Sequence, residues 1–331
     1  MTGHPTVRAW QVQRHGEPRD VLVLADVEPP EPAGDELCVD VRAAAVGMPD
    51  VFMCRGSYAF SPALPFTPGQ EVCGVVTAVG LGVATPVGTR VMGVTRFPSG
   101  HGGFAEVALV GASTAFPVPE GMSDIDAAGF PIGWSTAWVA LVRRARLAEG
   151  EHLLVLGAAG GSGAAAVQLG AALGAHVIAV VGDGAKAAYC RELGAETVID
   201  RRADDVVEGV RAATRGHGAD VVFDPVGGAP GEASMRCVAS EGRFLAVGFA
   251  AGRWPNVDVR HVVGRNYSVL GVYVGAYSRA DNERDHEQLV ALLEAGRIRS
   301  CVTETAAFDA LPAAVERVGR GDAIGKTGVV L

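Results

Sequence analysis

Lysine is nearly missing from this chain of 331 residues: only Lys186 and Lys326 are present, and arginine carries the rest of the basic charge. The balance is acidic, with a formal charge of −9 and no run of like charges, which argues against a nucleic-acid surface or a charged tail. Cysteine is sparse as well. Cys38, Cys54, Cys73, Cys190, Cys237 and Cys301 form no C-x-x-C pair and are too few to frame a chain this long with disulfides. They are expected to be small buried hydrophobes that stay reduced. No apolar run approaches the roughly 20 residues that span a bilayer, and the opening MTGHPTVRAW lacks the layout of a signal peptide. A cytoplasmic protein with a small-molecule partner is expected, with neither nucleic acid nor membrane. What is plentiful is small and apolar: 49 % of residues are hydrophobic, 20 % charged and 45 are glycine. That composition belongs to packed globular structure, and the length exceeds one ordinary core, so two domains are expected.

The stretch LLVLGAAGGSGAAAVQLGAALGAHVIAVV, Leu153 to Val181, reads as a buried strand, a glycine turn, a small-residue helix and a second buried strand. Ala158, Ala159, Gly160, Gly161, Ser162 and Gly163 give A-x-G-x-x-G where G-x-G-x-x-G is commoner. Gly160 lets the backbone approach a pyrophosphate, Gly163 lets the helix lie close to the strand, and the helix N-terminus offers N–H groups to the anion. A lone glycine fingerprint is weak, but its place between two strands and at a helix start is the context dinucleotide binding requires.

Upstream, short strand candidates (Val7–Gln13, Leu37–Ala45, Glu71–Val79, Arg90–Val94, Gly103–Val110) separated by Gly/Pro turns point to a barrel-like domain. From Ser123, which can cap a helix at Asp124, the pattern turns helical, with a second helix over about Ser135 to Arg146. Strands and helices then alternate: Leu153–Leu156, Val177–Val181, Thr197–Ile199, Ala219–Phe223, Arg243–Val247 and Tyr267–Val274 predict a doubly wound parallel sheet of about six strands. The tail holds a helix near Glu283–Glu294 and a last strand, Thr327–Leu331.

The motifs LPFTPGQEVCG (Leu64–Gly74), GGFAEVALV (Gly102–Val110), TAWVAL (Thr136–Leu141), AAGGSG, CRELGAETVIDRR (Cys190–Arg202), ADVVFDPVGG (Ala219–Gly228), GRFLAVGF (Gly242–Phe249) and GKTGVVL (Gly325–Leu331) together resemble the zinc-independent quinone oxidoreductase (zeta-crystallin-like) branch of the medium-chain dehydrogenase/reductase superfamily. The resemblance covers essentially the whole chain. It implies an α/β protein: a Rossmann doubly wound sheet plus a GroES-like β-barrel. The expected divisions are a GroES-like domain over residues 1–124, a nucleotide domain over 125–270 and completion of the first domain over 271–331. Zinc-dependent relatives use a Cys three residues before an Asp and a His in G-H-E. Here Gly47 precedes Asp50 and Gln70 stands between Gly69 and Glu71, so no metal is expected.

The resemblance also implies NADPH as the cofactor. At the end of the second nucleotide-domain strand, NAD-specific folds place a carboxylate for the ribose hydroxyls. By alignment that position is Gly182, with Asp183 one step on, while Lys186 and Arg201 fall where NADPH-using relatives surround the 2′-phosphate. Their alternative is solvated surface charge. Ala159, Gly160, Gly161 and Ser162 would hold the pyrophosphate, Thr136 would lie beside the nicotinamide, and Gly248, Phe249 and Gly271 would border it. Phe52, Gly228 and Lys326 complete the expected cofactor contacts.

For the substrate, the family motif after Asp50 usually carries two tyrosines. This chain keeps Tyr58, has Phe52 at the first, and has Gly47 where Asn is common. Tyr58 is the candidate catalytic phenol (ordinary pKa about 10), and plain packing is its alternative; Thr136, expected beside the nicotinamide, is the second candidate catalytic residue. The implied activity is hydride transfer from NADPH to a quinone, or to an enone or enoyl thioester. Its rivals are a cofactor-binding protein with little turnover, as crystallin recruitment illustrates, and a specialised biosynthetic tailoring reductase. A homodimer joined through Tyr267–Val274 is expected.

Overall fold

The computed structural model describes residues 6–331; the first five residues of the N-terminal segment lie outside it. Contacts divide the chain into two units, one of residues up to Ile132 with Ser278–Glu283 and Ser300–Leu331, the other of Gly133–Tyr277 with Arg284–Arg299.

The first unit is the barrel. Its strands are β1 (Val7–Val12), β2 (Leu22–Val27), β3 (Glu36–Val46), β4 (Glu71–Val79), β5 (Arg90–Thr95) and β6 (Val107–Pro117). β1 and β2 pair antiparallel as a separate ribbon. The C-terminal strands β13 (Val302–Ala307) and β14 (Lys326–Val330) join β3 to β6 in the order β13-β14-β3-β4-β5-β6, and β3 also pairs with β6 to close the circuit. Closure leaves β4, β5 and β6 without an open edge, while β13, paired only with β14, remains the outer strand. The interior is filled by Leu37, Val39, Met53, Phe66, Val72, Phe104 and Val110.

The second unit is the doubly wound sheet: β7 (His152–Val155), β8 (His176–Val181), β9 (Thr197–Asp200), β10 (Ala219–Asp224), β11 (Val238–Ala246) and β12 (Ser268–Gly271). All neighbours are parallel, in the order β12-β11-β10-β7-β8-β9. Its strands are continuous apolar runs because helices cover both faces. Leu154, Ile178, Val222 and Phe244 form one buried face. Helix Gly161–Ala172 can lie against β7 because Gly163 lacks a side chain, which would run into the Gly157 carbonyl. No helix among the described residues is long and apolar enough to cross a membrane.

Several boundaries differ from expectation. The segment 103–106 is a turn, with Gly103 and Phe104 donating to the Gly69 and Pro68 carbonyls, and β6 runs from Val107 to Pro117. The helix expected from Ser135 starts at Pro131 and widens after Trp138 into a π-helical turn, Val139–Arg144. That widening lets Trp138 Nε1 (2.8 Å) and Arg143 Nε (2.6 Å) both donate to the carboxylate of Asp285. Asp285 thereby ties helix Arg279–Glu294 into the nucleotide unit, which is why residues 284–299 do not belong with the barrel. Helix Asp124–Ala128 does belong with it, through the Arg90–Asp124 ion pair at 2.6 Å. The late strand is four residues long, Ser268–Gly271, because Tyr267 is buried before it and a turn at Val274–Ala276 follows.

Candidate functional site

In an open parallel sheet, ligands bind beyond the carboxyl ends of the strands, where the strand order reverses. Here that point lies between β7 and β10. β7 ends at Val155 and the chain turns through Leu156–Gly160, with Gly160 N donating to Gly157 O at 3.0 Å. Gly160 is extended and opens helix Gly161–Ala172 with no side-chain cap, leaving the N–H groups of Gly161, Ser162 and Gly163 aimed out of the helix end.

Across the switch point, β10 ends at Asp224. Its Oδ1 accepts from Val226 N (2.9 Å) and Gly227 N (2.8 Å), steering the chain into helix Gly228–Ser234. Val247 N and Gly248 N donate to Asp224 O, so Gly228, Gly248 and Phe249 are gathered at one edge. The Phe249 ring stands 5.0 Å from Trp254. Gly271 ends β12, and Thr136 lies in helix Pro131–Trp138.

At the end of β8 the chemistry is cationic. Gly182 is overlaid by two guanidinium groups: a Cβ there would lie 3.3 Å from Arg201 Nη2 and 3.5 Å from Arg202 Nε. Asp183 is engaged within its own helix. Its carboxylate caps helix Gly184–Glu192 by accepting from Lys186 N at 2.9 Å and stands 3.4 Å from Lys186 Nζ. These contacts, led by the backbone N–H of Lys186, hold it below the usual Asp range. Arg201 and Arg202 thus face a strand end that has no side chain of its own, with Lys186 held beside Asp183 in the helix that follows. Arg202 is the member sequence reasoning missed; the doublet Arg201–Arg202 after β9 was its signal.

The barrel unit carries a buried charged cluster. Gly47 N (2.8 Å) and Gly69 N (3.0 Å) donate to the Asp50 carboxylate, which locks the start of helix Met48–Arg55 to the loop before β4. Burial pushes Asp50 up to about 6, while those N–H groups, the Lys326 charge and Gln70 N pull the other way. Lys326, expected against the cofactor, is 6 % exposed and its ammonium contacts the Glu71 carboxylate, so its charge serves a pair inside the barrel. Glu71 also accepts from Ile132 N at 2.9 Å. Phe52 is buried in helix Met48–Arg55. Tyr58 is half-buried, its ring edge-on to Phe60 (5.7 Å) and tilted to Phe97 (6.2 Å).

Gly47 and Gln70 offer no metal ligand, and among the described residues no group of three or more His, Cys, Asp or Glu side chains is placed to hold an ion. An open cavity of about 390 Å³ lies at the other edge of the parallel sheet, lined by His152, His176, Thr197 and Arg215. These include the first residues of β7, β8 and β9, the amino edge, where such sheets do not bind nucleotides.

The family model for zinc-binding dehydrogenases matches residues 161–295, and that for the alcohol dehydrogenase GroES-like domain matches 33–120. A quinone oxidoreductase-like protein 2 homolog from Nematostella vectensis is 33 % identical over 296 residues, covering 88 % of this chain and 79 % of the relative. Among solved structures, a probable oxidoreductase from Mycobacterium abscessus is 34 % identical, with TM-score 0.86 over 99 % of this chain and 100 % of that one. Escherichia coli quinone oxidoreductase complexed with NADPH is 27 % identical, with TM-score 0.89 over 98 % and 99 % of the two chains. With a barrel and a doubly wound sheet in the same chain order, and with Gly47 and Gln70 at the metal positions, this chain belongs to the zinc-independent quinone oxidoreductase family of medium-chain dehydrogenases/reductases.

Proposed function

We propose that this protein reduces a quinone, or a C=C bond conjugated to a carbonyl, with NADPH and without a metal. The observation that carries the cofactor half is the end of β8: Gly182 bare beneath Arg201 and Arg202, with Lys186 adjacent and Asp183 turned into its own helix cap. A 2′-phosphate suits this cationic strand end, where the one carboxylate, Asp183, is engaged as the cap of its own helix and as the partner of Lys186. The uncapped first turn at Gly161–Gly163 suits the pyrophosphate, with Ala159 and Gly160 in the turn beneath it. Gly228, Gly248, Phe249 and Gly271 supply the wall toward the nicotinamide, with Thr136 at its side. The family relatives named for quinone reduction, and the E. coli enzyme solved with NADPH, support the same reading.

Bound NADPH supplies hydride from its nicotinamide ring. The protein aligns the acceptor carbon, keeps water out and manages charge at the conjugated carbonyl. Tyr58 is the proton source in this reading, its ring steadied by Phe60 and Phe97.

The working unit in this reading is a homodimer. β12 is the edge of the parallel sheet, and the preceding helix Val259–Arg265 leaves Val259 66 % and Val263 69 % exposed. A short edge strand flanked by bare valines is a surface to be paired. All six cysteines are buried, as suits small apolar side chains kept reduced in the cytoplasm. NADPH consumption with a panel of quinones, alkyl enones and enoyl-CoA esters tests the activity. Turnover with at least one class is expected, and tight NADPH binding with no turnover on any class would make the protein a cofactor binder instead. Sedimentation showing only monomer at micromolar concentration would refute the dimer.

A further inference from the structure

Three of the chain's eight histidines come together at the amino edge of the parallel sheet, where the open cavity lies. His152 opens β7 and His176 opens β8. The two are registered on each other across the parallel pair, so their side chains rise from the same face. Their ring centres stand 5.3 Å apart with planes inclined at 34°. His217, from the bend before β10, stands 6.0 Å from His152. All three belong to the nucleotide unit.

Each ring has one nitrogen against a carboxylate. His176 Nδ1 stands 2.9 Å from Glu196 Oε2, His152 Nδ1 stands 3.4 Å from Asp220 Oδ2, and His217 Nε2 stands 2.7 Å from Asp220 Oδ1. Among the described residues no arginine or lysine forms an ion pair with either carboxylate, and the one full cation on the cavity wall, Arg215, is exposed. The cluster therefore favours an added positive charge. A carboxylate at Nδ1 holds the proton there and leaves Nε2 with its lone pair, the way outer carboxylates prepare histidine for a metal. The spacing fits as well. Zinc–nitrogen bonds of about 2.0–2.1 Å put the ion about 3.2 Å from each ring centre, so two rings at a tetrahedral angle stand about 5.2 Å apart. His152 and His176 meet that distance. His217 is farther off and its Nε2 is taken by Asp220, so the pair, not the trio, is the site.

We propose that His152 and His176 chelate one divalent late transition-metal ion, of the class of Zn²⁺, at the amino edge of the parallel sheet. Glu196 and Asp220 orient the two rings, and water in the cavity of about 390 Å³ fills the ion's remaining positions. Imidazole suits zinc, nickel and copper, whereas magnesium and calcium require oxygen ligands, so the pair discriminates between these classes. The ion has no part in the proposed hydride transfer, because the nucleotide turn and the Arg201–Arg202 cluster stand at the opposite ends of the strands. It is a staple between the starts of β7 and β8, binding the folded pair and not the separated strands.

The test is calorimetric titration of the full chain, without an affinity tag and stripped with chelator, by Zn²⁺ and by Mg²⁺. Wild type should take up one Zn²⁺ per chain and no Mg²⁺. His176→Ala should remove the binding, and because His176 is half exposed the variant should keep the Tm of metal-free wild type. Glu196→Gln, which leaves both ligands in place, should weaken Zn²⁺ by about 10- to 100-fold, the scale of a lost outer carboxylate. Added Zn²⁺ should raise the Tm of wild type and leave that of His176→Ala unchanged. Absence of saturable Zn²⁺ binding by wild type overturns the proposal. So does binding that persists in His176→Ala, which would place the ion on other groups, and so does equal uptake of Mg²⁺.

Discussion

The two units solve their binding problems with different materials. In the nucleotide unit the site is made of backbone: a glycine turn, an uncapped helix end and a strand end left bare at Gly182. In the barrel unit it is made of side chains that are far apart in sequence and packed out of water, such as Asp50, Glu71 and Lys326. A backbone site tolerates change in most side chains and fails where a Cβ intrudes. A buried side-chain cluster fails when any one charge is removed. Substitutions should separate the two cleanly.

The largest effect is expected at Lys326. Lys326→Met leaves the Glu71 and Asp50 carboxylates buried with no counter-charge, at a cost of about 3–5 kcal/mol in stability, measurable by urea unfolding. A loss below about 1 kcal/mol would mean that the cluster is wetter than its burial implies. Asp50 comes next. Burial raises its carboxyl from the ordinary 3.8 to about 6. Between those values the folded chain holds a proton that the unfolded chain has released. Its contribution is therefore fully present below about pH 4 and is lost as pH rises through about 6, a change of up to about 3 kcal/mol. Asp50→Asn should flatten that part of the pH–stability curve, and an unaltered slope would assign it to another group.

Tyr58→Phe probes the barrel's chemistry. As proton source, Tyr58 should matter about 10²-fold in kcat for an accepted enone. Quinones should suffer less, because solvent can protonate their phenolate product. NADPH affinity should not change. An unchanged kcat would leave Tyr58 as packing between Phe60 and Phe97.

The same contrast explains what could be read beforehand. The strands β7 to β10, the glycine turn and the bare Gly182 are local patterns, each written in a few consecutive residues, and they stand within a residue of where the sequence predicts, while β11 starts at Val238, five residues before the expected Arg243. The barrel's closure was legible only as short strands between turns. β2 and β13 escaped notice because β2 is largely exposed and β13 alternates with little apolar content, so neither shows a buried run. The Glu71–Lys326 contact joins residues from opposite ends of the chain, which no spacing reveals, and it changes the reading of Lys326 from cofactor ligand to buried partner. Gln70 was legible only as a missing metal ligand; that its Nε2 is buried without a hydrogen-bond partner among the described residues is a fact of packing. The π-helical turn after Trp138 depends on Asp285 from a distant helix, beyond the reach of helical periodicity.

The central claim, that the end of β8 is built for a 2′-phosphate, is tested most directly by the Kd values of NADPH and NADH for wild type and for Lys186→Ala. Wild type should prefer NADPH, and Lys186→Ala should weaken NADPH by roughly 10- to 100-fold, the scale of one charge-assisted hydrogen bond, while leaving NADH unchanged. Equal affinity of wild type for both cofactors, or equal weakening of both by the substitution, would contradict the account and give the decision to Asp183.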